Sequence, residues 1–303
     1  MNSNQITLFS ELGEPPPPAP LHIPKAPTPE VSIYSTIEAY AFFLRGKQSS
    51  QHTVDAYTGD IEYLQSYLGD KPLDTISLQD LRGFHSMMIA KRINASTMHR
   101  RIASVKNYFS WLYYVERVLS FNPAELLICD RPGLKLPYIL TDDESDRLVQ
   151  SSTRDPRNYV LVLLLFNIGL KRQELITLKK EDIVIEAFKA TLYVRSDNPY
   201  KNRPLLLSGD FVAAYRQYIE REKPDDLLFP YTERNLNFIL KSLGKSANIS
   251  SSVSCQVLRD TGAVRRIKSG ESPETVLKRL GLAPSEVCRE ALNKYMILAK
   301  KAI

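Results

Sequence analysis

Ser96-Thr97-Met98-His99-Arg100-Arg101-Ile102-Ala103-Ser104, continued through Val105, Tyr108, Phe109 and Leu112, decides the fold of the first half of the chain. Its apolar residues return every three or four positions, the period of one helical face. The same period runs back toward the N-terminus. Ser77, with Asp80 three residues later, opens a helix toward Arg92. Before it, Val54, Tyr57, Ile61, Leu64 and Leu68 mark a second helix, and Ile37, Tyr40, Ala41 and Leu44 a third, separated by the polar break Lys47 to Gln51. Four helices predict a compact all-α domain over residues 31–130.

Outward from that domain the chain changes character on both sides. Residues 11–30 hold 8 of the 19 prolines, including Pro15 to Pro18, and read as an extended or disordered tail over residues 1–30. Within it Gln5-Ile6-Thr7-Leu8-Phe9 resembles the short peptide by which bacterial proteins dock on the replication sliding clamp; the other reading is a plain flexible terminus. Downstream, Asn122-Pro123 is expected to stop the fourth helix, and Arg131 to Pro137 to link two domains. Thr141 with Glu144 forms a capping-box pattern, and a long apolar helix is expected from Tyr159. Two β-like runs follow, Ala190 to Val194 and Pro204 to Leu207, around the turn residues Ser196-Asp197-Asn198-Pro199. From Asp210 onward the pattern is again helical. Residues 131–303 are therefore expected to form an α+β domain with a small antiparallel sheet.

Composition narrows the function. A chain of 303 residues with 43% apolar and 24% charged residues supplies two cores. Its longest apolar stretch, Tyr159 to Leu170, is too short for the roughly 20 residues of a membrane span. No secretory leader pattern is visible, so a cytoplasmic location is expected. The three cysteines, Cys129, Cys255 and Cys288, fit a reducing compartment and are read as small buried residues. The net charge of +6 is unevenly spread. Residues 1–30 hold 1 basic and 3 acidic side chains, residues 31–130 hold 10 and 10, and residues 131–303 hold 29 and 21. The excess thus sits in the second domain and points to a polyanion such as nucleic acid. Glycine-rich nucleotide loops, C-x-x-C and H-E-x-x-H are missing, so neither cofactor nor metal is expected. All four histidines lie in the first third, so chemistry in the basic domain would proceed without imidazole.

Read in order, several segments resemble a tyrosine recombinase, or phage-type integrase, of the kind that resolves bacterial chromosome dimers. In the first domain these are Ser50-Gln51-His52-Thr53 with Tyr57 and Asp60, Ser96 to Ser104, and Asn122-Pro123-Ala124. In the second they are Leu136-Pro137 with Leu140-Thr141, Gly169-Leu170-Lys171-Arg172-Gln173-Glu174-Leu175, and Leu178 to Ile183. Leu228-Phe229-Pro230, Val257-Leu258-Arg259-Asp260-Thr261 and Leu280-Gly281 complete the order. The resemblance implies a helical core-binding domain and a catalytic-type domain that together clamp DNA in a C shape. It also implies a reaction in which a tyrosine attacks a DNA phosphate to give a 3′-phosphotyrosyl link. Phenol has a pKa of about 10, so that reaction needs arginines donating to the non-bridging oxygens and a lysine protonating the leaving oxygen.

The pattern departs from the family at the pocket. Lys171 stands at the first arginine position, with Arg172 next to it. The hairpin lysine position falls near Asn198, leaving Lys201 as the nearest candidate. The histidine of H-x-x-R is Gln256, so only Arg259 remains of that motif, and the support position after Gly281 is Leu282. The tyrosine position falls on Ala291, and Tyr295 lies one helical turn beyond it, about 6 Å along the axis. Tyr295 is read first as an ordinary amphipathic aromatic and second as a displaced nucleophile. The resulting expectation is a DNA-binding recombinase-type protein with a degraded pocket, a non-cleaving subunit or regulator. It would hold phosphates through Lys171, Arg172, Lys201, Arg203 and Arg259, with Arg100 and Arg101 contributing from the first domain. The alternative is an active recombinase with Tyr295 as nucleophile, Arg259 and Arg172 as phosphate clamp and Lys201 as acid. Expected partners are double-stranded DNA, another recombinase subunit, and a sliding clamp through Gln5–Phe9.

Overall fold

The computed structural model describes residues 31–47, 49–130, 133–187, 189–196, 201–282 and 286–301. The proline-rich tail, the Gln5–Phe9 peptide and Asn198 lie outside the described residues. The chain divides into two compact units, Met1–Gly133 and Leu134–Ile303.

Among its described residues the first unit contains four α-helices, α1 (Ile33–Gly46), α2 (Gln51–Leu68), α3 (Leu78–Ala90) and α4 (Ala95–Tyr114). Side chains waiting at each start satisfy the orphan amides. Ser32 and Ser35 cap α1 reciprocally, as Ser77 and Asp80 cap α3. Ser50 accepts from the Thr53 amide on α2, and Asn94 from the Ser96 amide on α4. The apolar faces meet in one core containing Tyr40, Ile61, Leu64, Phe84, Tyr108, Phe109 and Trp111. Two expected boundaries move inward. Helix α3 ends at Ala90 and α4 at Tyr114, well before Asn122-Pro123, and Arg92 and Arg117 just beyond them take left-handed backbone conformations.

In the second unit, Thr141 and Glu144 form the expected capping box on α5 (Asp142–Ser152). Helix α6 (Pro156–Leu163) starts on Asp155 with proline in its first turn and runs into a π-helical turn, Leu164–Ile168, that stops at Gly169 with φ of 80°. After α7 (Arg172–Ile176) come three antiparallel strands in sequence order, β1 (Ile183–Ile185), β2 (Ala190–Val194) and β3 (Arg203–Leu206). Helices α8 (Gly209–Glu222), α9 (Glu233–Ser246), α10 (Cys255–Lys268), α11 (Pro273–Arg279) and α12 (Glu286–Lys301) follow. Strand β1, three residues long, pairs with β2 as a strand the sequence does not announce, and β3 begins one residue before the expected run, at Arg203.

Two packing details position the site. Helix α10 approaches the π-helical turn so closely that a Cβ on Gly262 would stand 1.9 Å from the Phe166 carbonyl oxygen. Only glycine allows that contact. In β3, Val194 pairs with Arg203 and Leu192 with Leu205, so the two-residue period sends Arg203 to the same buried face as Leu205. Of the cysteines, Cys255 is buried, but Cys129 and Cys288 are only half-buried, a correction to the expectation of three buried thiols. No helix among the described residues is long and apolar enough to cross a membrane.

Candidate functional site

Arg259 stands in the middle of α10, where every residue from Leu258 to Val264 is buried. A buried guanidinium must place its donors, and here main-chain carbonyls take them. One terminal nitrogen donates to Gly169 O, at the end of the π-helical turn, and the other to Leu280 O at 2.6 Å, just past α11. Arg203 is likewise buried, 7% exposed at the side chain. Its two terminal nitrogens donate to the two Glu174 carboxylate oxygens at 3.0 and 2.9 Å, and its Nε to Arg279 O at 2.6 Å. Glu174 also accepts from the Lys171 amide at 2.8 Å, which ties the start of α7 to the same carboxylate. Burial alone would raise the Glu174 pKa, but the hydrogen bonds from Arg203 override it and hold the carboxyl below its ordinary range.

Lys171 lies at the rim of this cluster, half-buried. Burial pushes its ammonium pKa down, and Arg259 pushes it further; Glu174 opposes, and Lys201 and Arg203 add to the depression. Four cations thus converge, with Glu174 as the one carboxylate among the groups that perturb Lys171. Lys201 is exposed. Arg172 points elsewhere and pairs with Glu233 on α9 at 3.0 Å, with both side chains about half exposed.

Tyr295 is turned inward from α12 and is 5% exposed. Its hydroxyl donates to Asp260 Oδ1 at 2.5 Å, and its ring packs in a small core with Val264, Val276, Leu280 and Ala299. Burial first and the Asp260 carboxylate second raise the phenol pKa far above its ordinary value, against a lesser pull from Arg259. Asp260 is itself raised by burial, opposed by the hydrogen bonds from Tyr295 and from Gln256, which donates at 2.7 Å. Leu282 packs partly buried on the same core. Ala291 is half-buried on α12.

The structure therefore brings Lys171, Lys201, Arg203 and Arg259 together and leaves Arg172 on a neighbouring surface. The strand register of β3 and the all-round burial of α10 take the guanidinium groups of Arg203 and Arg259, both expected to hold phosphates, inside the fold. Two residues with no role in that reading prove central, Glu174 and Asp260. Both stood inside the quoted motifs, and an acidic residue three from a lysine or next to an arginine was the available signal.

In the first unit Arg100 and Arg101 converge on Asp60, which is 3% exposed. Arg100 donates to Asp60 Oδ2 and to Ala56 O at 3.2 Å, and Ser104 Oγ donates to Asp60 at 2.7 Å. Arg101 Nε lies 3.4 Å from the other Asp60 oxygen, with its guanidinium 3.9 Å above the Tyr63 ring. No group of residues able to hold a metal ion occurs among the described residues.

Comparison with known families gives two matches. Residues 37–115 match the phage integrase N-terminal SAM-like domain, and residues 139–290 match the phage integrase family. Among curated proteins, the chain is 25% identical over 264 residues to tyrosine recombinase XerC of Staphylococcus saprophyticus, covering 80% of this chain and 87% of that one. It is 25% identical over 264 residues to tyrosine recombinase XerD of Listeria innocua, covering 80% and 88%. Among solved structures, the Tn1549 transposon integrase in complex with transposon right end DNA has a TM-score of 0.70 at 16% identity, covering 90% of this chain and 98% of that one. A lambda integrase dimer bound to a COC′ core site has a TM-score of 0.70 at 15% identity, covering 87% and 78%. These two likenesses establish the shared fold.

Proposed function

Because this chain belongs to the phage integrase family, we propose that it acts in site-specific DNA recombination or integration by gripping duplex phosphates without cutting the strand. The observation that carries this reading is the placement of the basic side chains, with Lys171 half-buried and Lys201 exposed while Arg203 and Arg259 lie buried on main-chain carbonyls and Glu174. Burial depresses the Lys171 ammonium first, and Arg259, Lys201 and Arg203 add to it against Glu174, so an anion arriving from outside would be favoured there. A DNA phosphate is such an anion. In this reading Lys171 and Lys201 touch the phosphate, Arg203 and Arg259 shape and charge the cradle from beneath, and Arg172 adds a contact beside it. Arg100 keeps 43% of its side chain exposed while paired to Asp60 and, with Arg101, serves the same purpose in the first unit.

The phenol supports the non-cleaving half of the proposal. Attack on phosphorus requires Tyr295 to lose its proton, and burial against a carboxylate opposes that loss. A mixed assembly with a cleaving recombinase fits such a subunit. The Gln5–Phe9 peptide would add docking to the sliding clamp. The cleaving reading has one observation in its favour, the proximity of Arg259, which lowers the Tyr295 pKa. On that reading Tyr295 passes its proton to Asp260, the phenolate oxygen bonds to phosphorus as the bond from phosphorus to the 5′ oxygen breaks, and Lys201 protonates the leaving 5′ oxygen.

One experiment separates the two. Purified protein is mixed with sheared genomic DNA, and retained fragments are compared after a native wash and after an SDS wash. The proposal expects retention in the native wash only. Fragments that survive SDS with the native chain, and not with Tyr295→Phe, establish cleavage through Tyr295 and overturn it.

A further inference from the structure

We propose that a groove on the outer face of α1 receives the chain's own proline run, Glu14-Pro15-Pro16-Pro17-Pro18, which lies outside the described residues. The groove begins with a helical stripe. Ala39, Phe42 and Gly46 are spaced by three and four residues and so stand one above another on the exposed side of α1. Phe42 is 76% exposed and forms a wall, with a small residue one turn to either side. Phe43, Lys47 and Glu116 complete a cavity of about 540 Å³. Its aromatic floor is fixed in place, because the Phe43 ring packs 5.8 Å from the buried Trp111 and 6.4 Å from Tyr40, with Lys47 Nζ 4.7 Å above it.

Grooves walled by aromatic rings and open along their length suit polyproline II segments, which bring rigid apolar rings and lose little entropy on docking. The chain contains such a segment at the right distance. Val31 O accepts from the Leu73 amide at 2.9 Å, which fixes where the tail meets the fold, beside the first residue of α1. From Ile33 to Gly46 the helix rises about 20 Å. Twelve residues lie between Pro18 and Val31, and the thirteen steps from one to the other span about 40 Å at polyproline II rise. The run therefore reaches the groove folded back along α1, with Pro18 toward the start of the helix and Glu14 toward its end. Charge agrees with that direction. Residues 1–30 carry three acidic side chains and one basic, while Arg45 and Lys47 at the end of α1 outnumber Glu116. Tethering adds a millimolar-range effective concentration, so a weak contact suffices to keep the groove filled.

Gly46 supplies a clean test, because nothing stands within 4 Å of where its Cβ would be. Gly46→Leu fills the groove from the last turn of α1 and improves helix propensity. The full chain is treated with a Glu-specific protease and, separately, with trypsin; the rates of cleavage after Glu11 and after Lys25 are followed. Proteolysis of this kind tracks the undocked population. Docking predicts cleavage after Glu11 about tenfold slower in the native chain than in Gly46→Leu, with the Lys25 rate equal in both. Pro16→Gly combined with Pro17→Gly leaves the folded unit untouched and is expected to give the same fast Glu11 cleavage. Equal Glu11 rates in all three chains overturn the proposal. So does a change of solution mass in Gly46→Leu without a change in Glu11 cleavage, which assigns the groove to a second copy of the chain.

Discussion

In the first unit the buried charge is an anion, Asp60, and the cations that answer it, Arg100 and Arg101, reach in from the surface with 43% and 19% of their side chains exposed. In the second unit Arg203 and Arg259 are themselves buried, Arg203 paired with Glu174 and Arg259 held by main-chain carbonyls with Asp260 buried next to it, and the residue at the rim is a further cation, Lys171. The first arrangement is closed, because Asp60 finds its hydrogen-bond donors within the chain. The second is open. Carbonyl oxygens take the donors of Arg259 but carry no net charge, and Arg259, Lys201 and Arg203 outnumber Glu174 among the charged groups acting on Lys171. On the proposed reading, the buried Asp60 carboxylate holds two partly exposed arginines in place from within, whereas Arg259 beneath Lys171 offers a seat for an outside anion.

Breaking the second cluster at its base has the largest effect. Arg259→Ala leaves Gly169 O and Leu280 O without their donor and is expected to cost about 2–5 kcal/mol in denaturant unfolding. Arg259→Lys recovers less than half of that, since one ammonium cannot serve two carbonyls as a planar fork does. In the first cluster, Asp60→Ala removes the acceptor of the buried Ser104 hydroxyl but lets Arg100 turn to water. The expected cost is about 2–3 kcal/mol, with DNA affinity kept because both arginines remain; reduced affinity would mean that Asp60 positions Arg100 and Arg101 for their phosphate contacts.

Lys171→Met sharpens the contrast. Its folded pKa lies below the unfolded value, so the folded state holds fewer protons in the window between them, and stability rises as pH climbs through that window. Removing the charge is therefore expected to raise thermal stability at neutral pH while weakening DNA binding up to about tenfold. The slope of log affinity against log salt is expected to fall by about 1. For the native chain, affinity is expected to decline as pH rises through the depressed pKa, because the deprotonated amine no longer pairs with phosphate.

Tyr295→Phe is the smallest perturbation, about 1 kcal/mol with DNA affinity unchanged. It has a distinctive pH signature. Asp260 is raised above its unfolded value, so stability falls as pH rises between the two. Losing the hydroxyl raises Asp260 further, and the variant is expected to lose more stability at neutral than at acid pH in paired unfolding curves. A loss independent of pH would disconnect Tyr295 from Asp260.

The sequence pattern was most legible where local rules act alone. Ser77 with Asp80 and Thr141 with Glu144 announce helix starts because the cap and its partner lie three residues apart, and both capping boxes form. The end of α4 was misplaced because left-handed backbone at Arg117, a residue with no glycine-like signature, marks the exit beyond the helix. Strand β1, at three residues, is too short to display a period. The candidate site was half legible. Lys171 and Arg259 stand in recognisable motifs, but the pairing of Arg203 with Glu174 joins residues 29 apart, and that of Tyr295 with Asp260 joins residues 35 apart. Such distances are set by strand register and helix packing, which no local spacing encodes. Tyr295 was placed one turn from the family's tyrosine position, yet whether its hydroxyl faced a phosphate or the core depended on what α10 offered it.

The most direct test of the open second cluster is the titration of Lys171 itself, followed by NMR of its Nζ or Cε in the native chain with and without duplex DNA. The expected result is a pKa below the ordinary lysine value in the free protein and a clear rise on binding, as phosphate brings negative charge to the ammonium. A Lys171 pKa that does not move when DNA binds would contradict it.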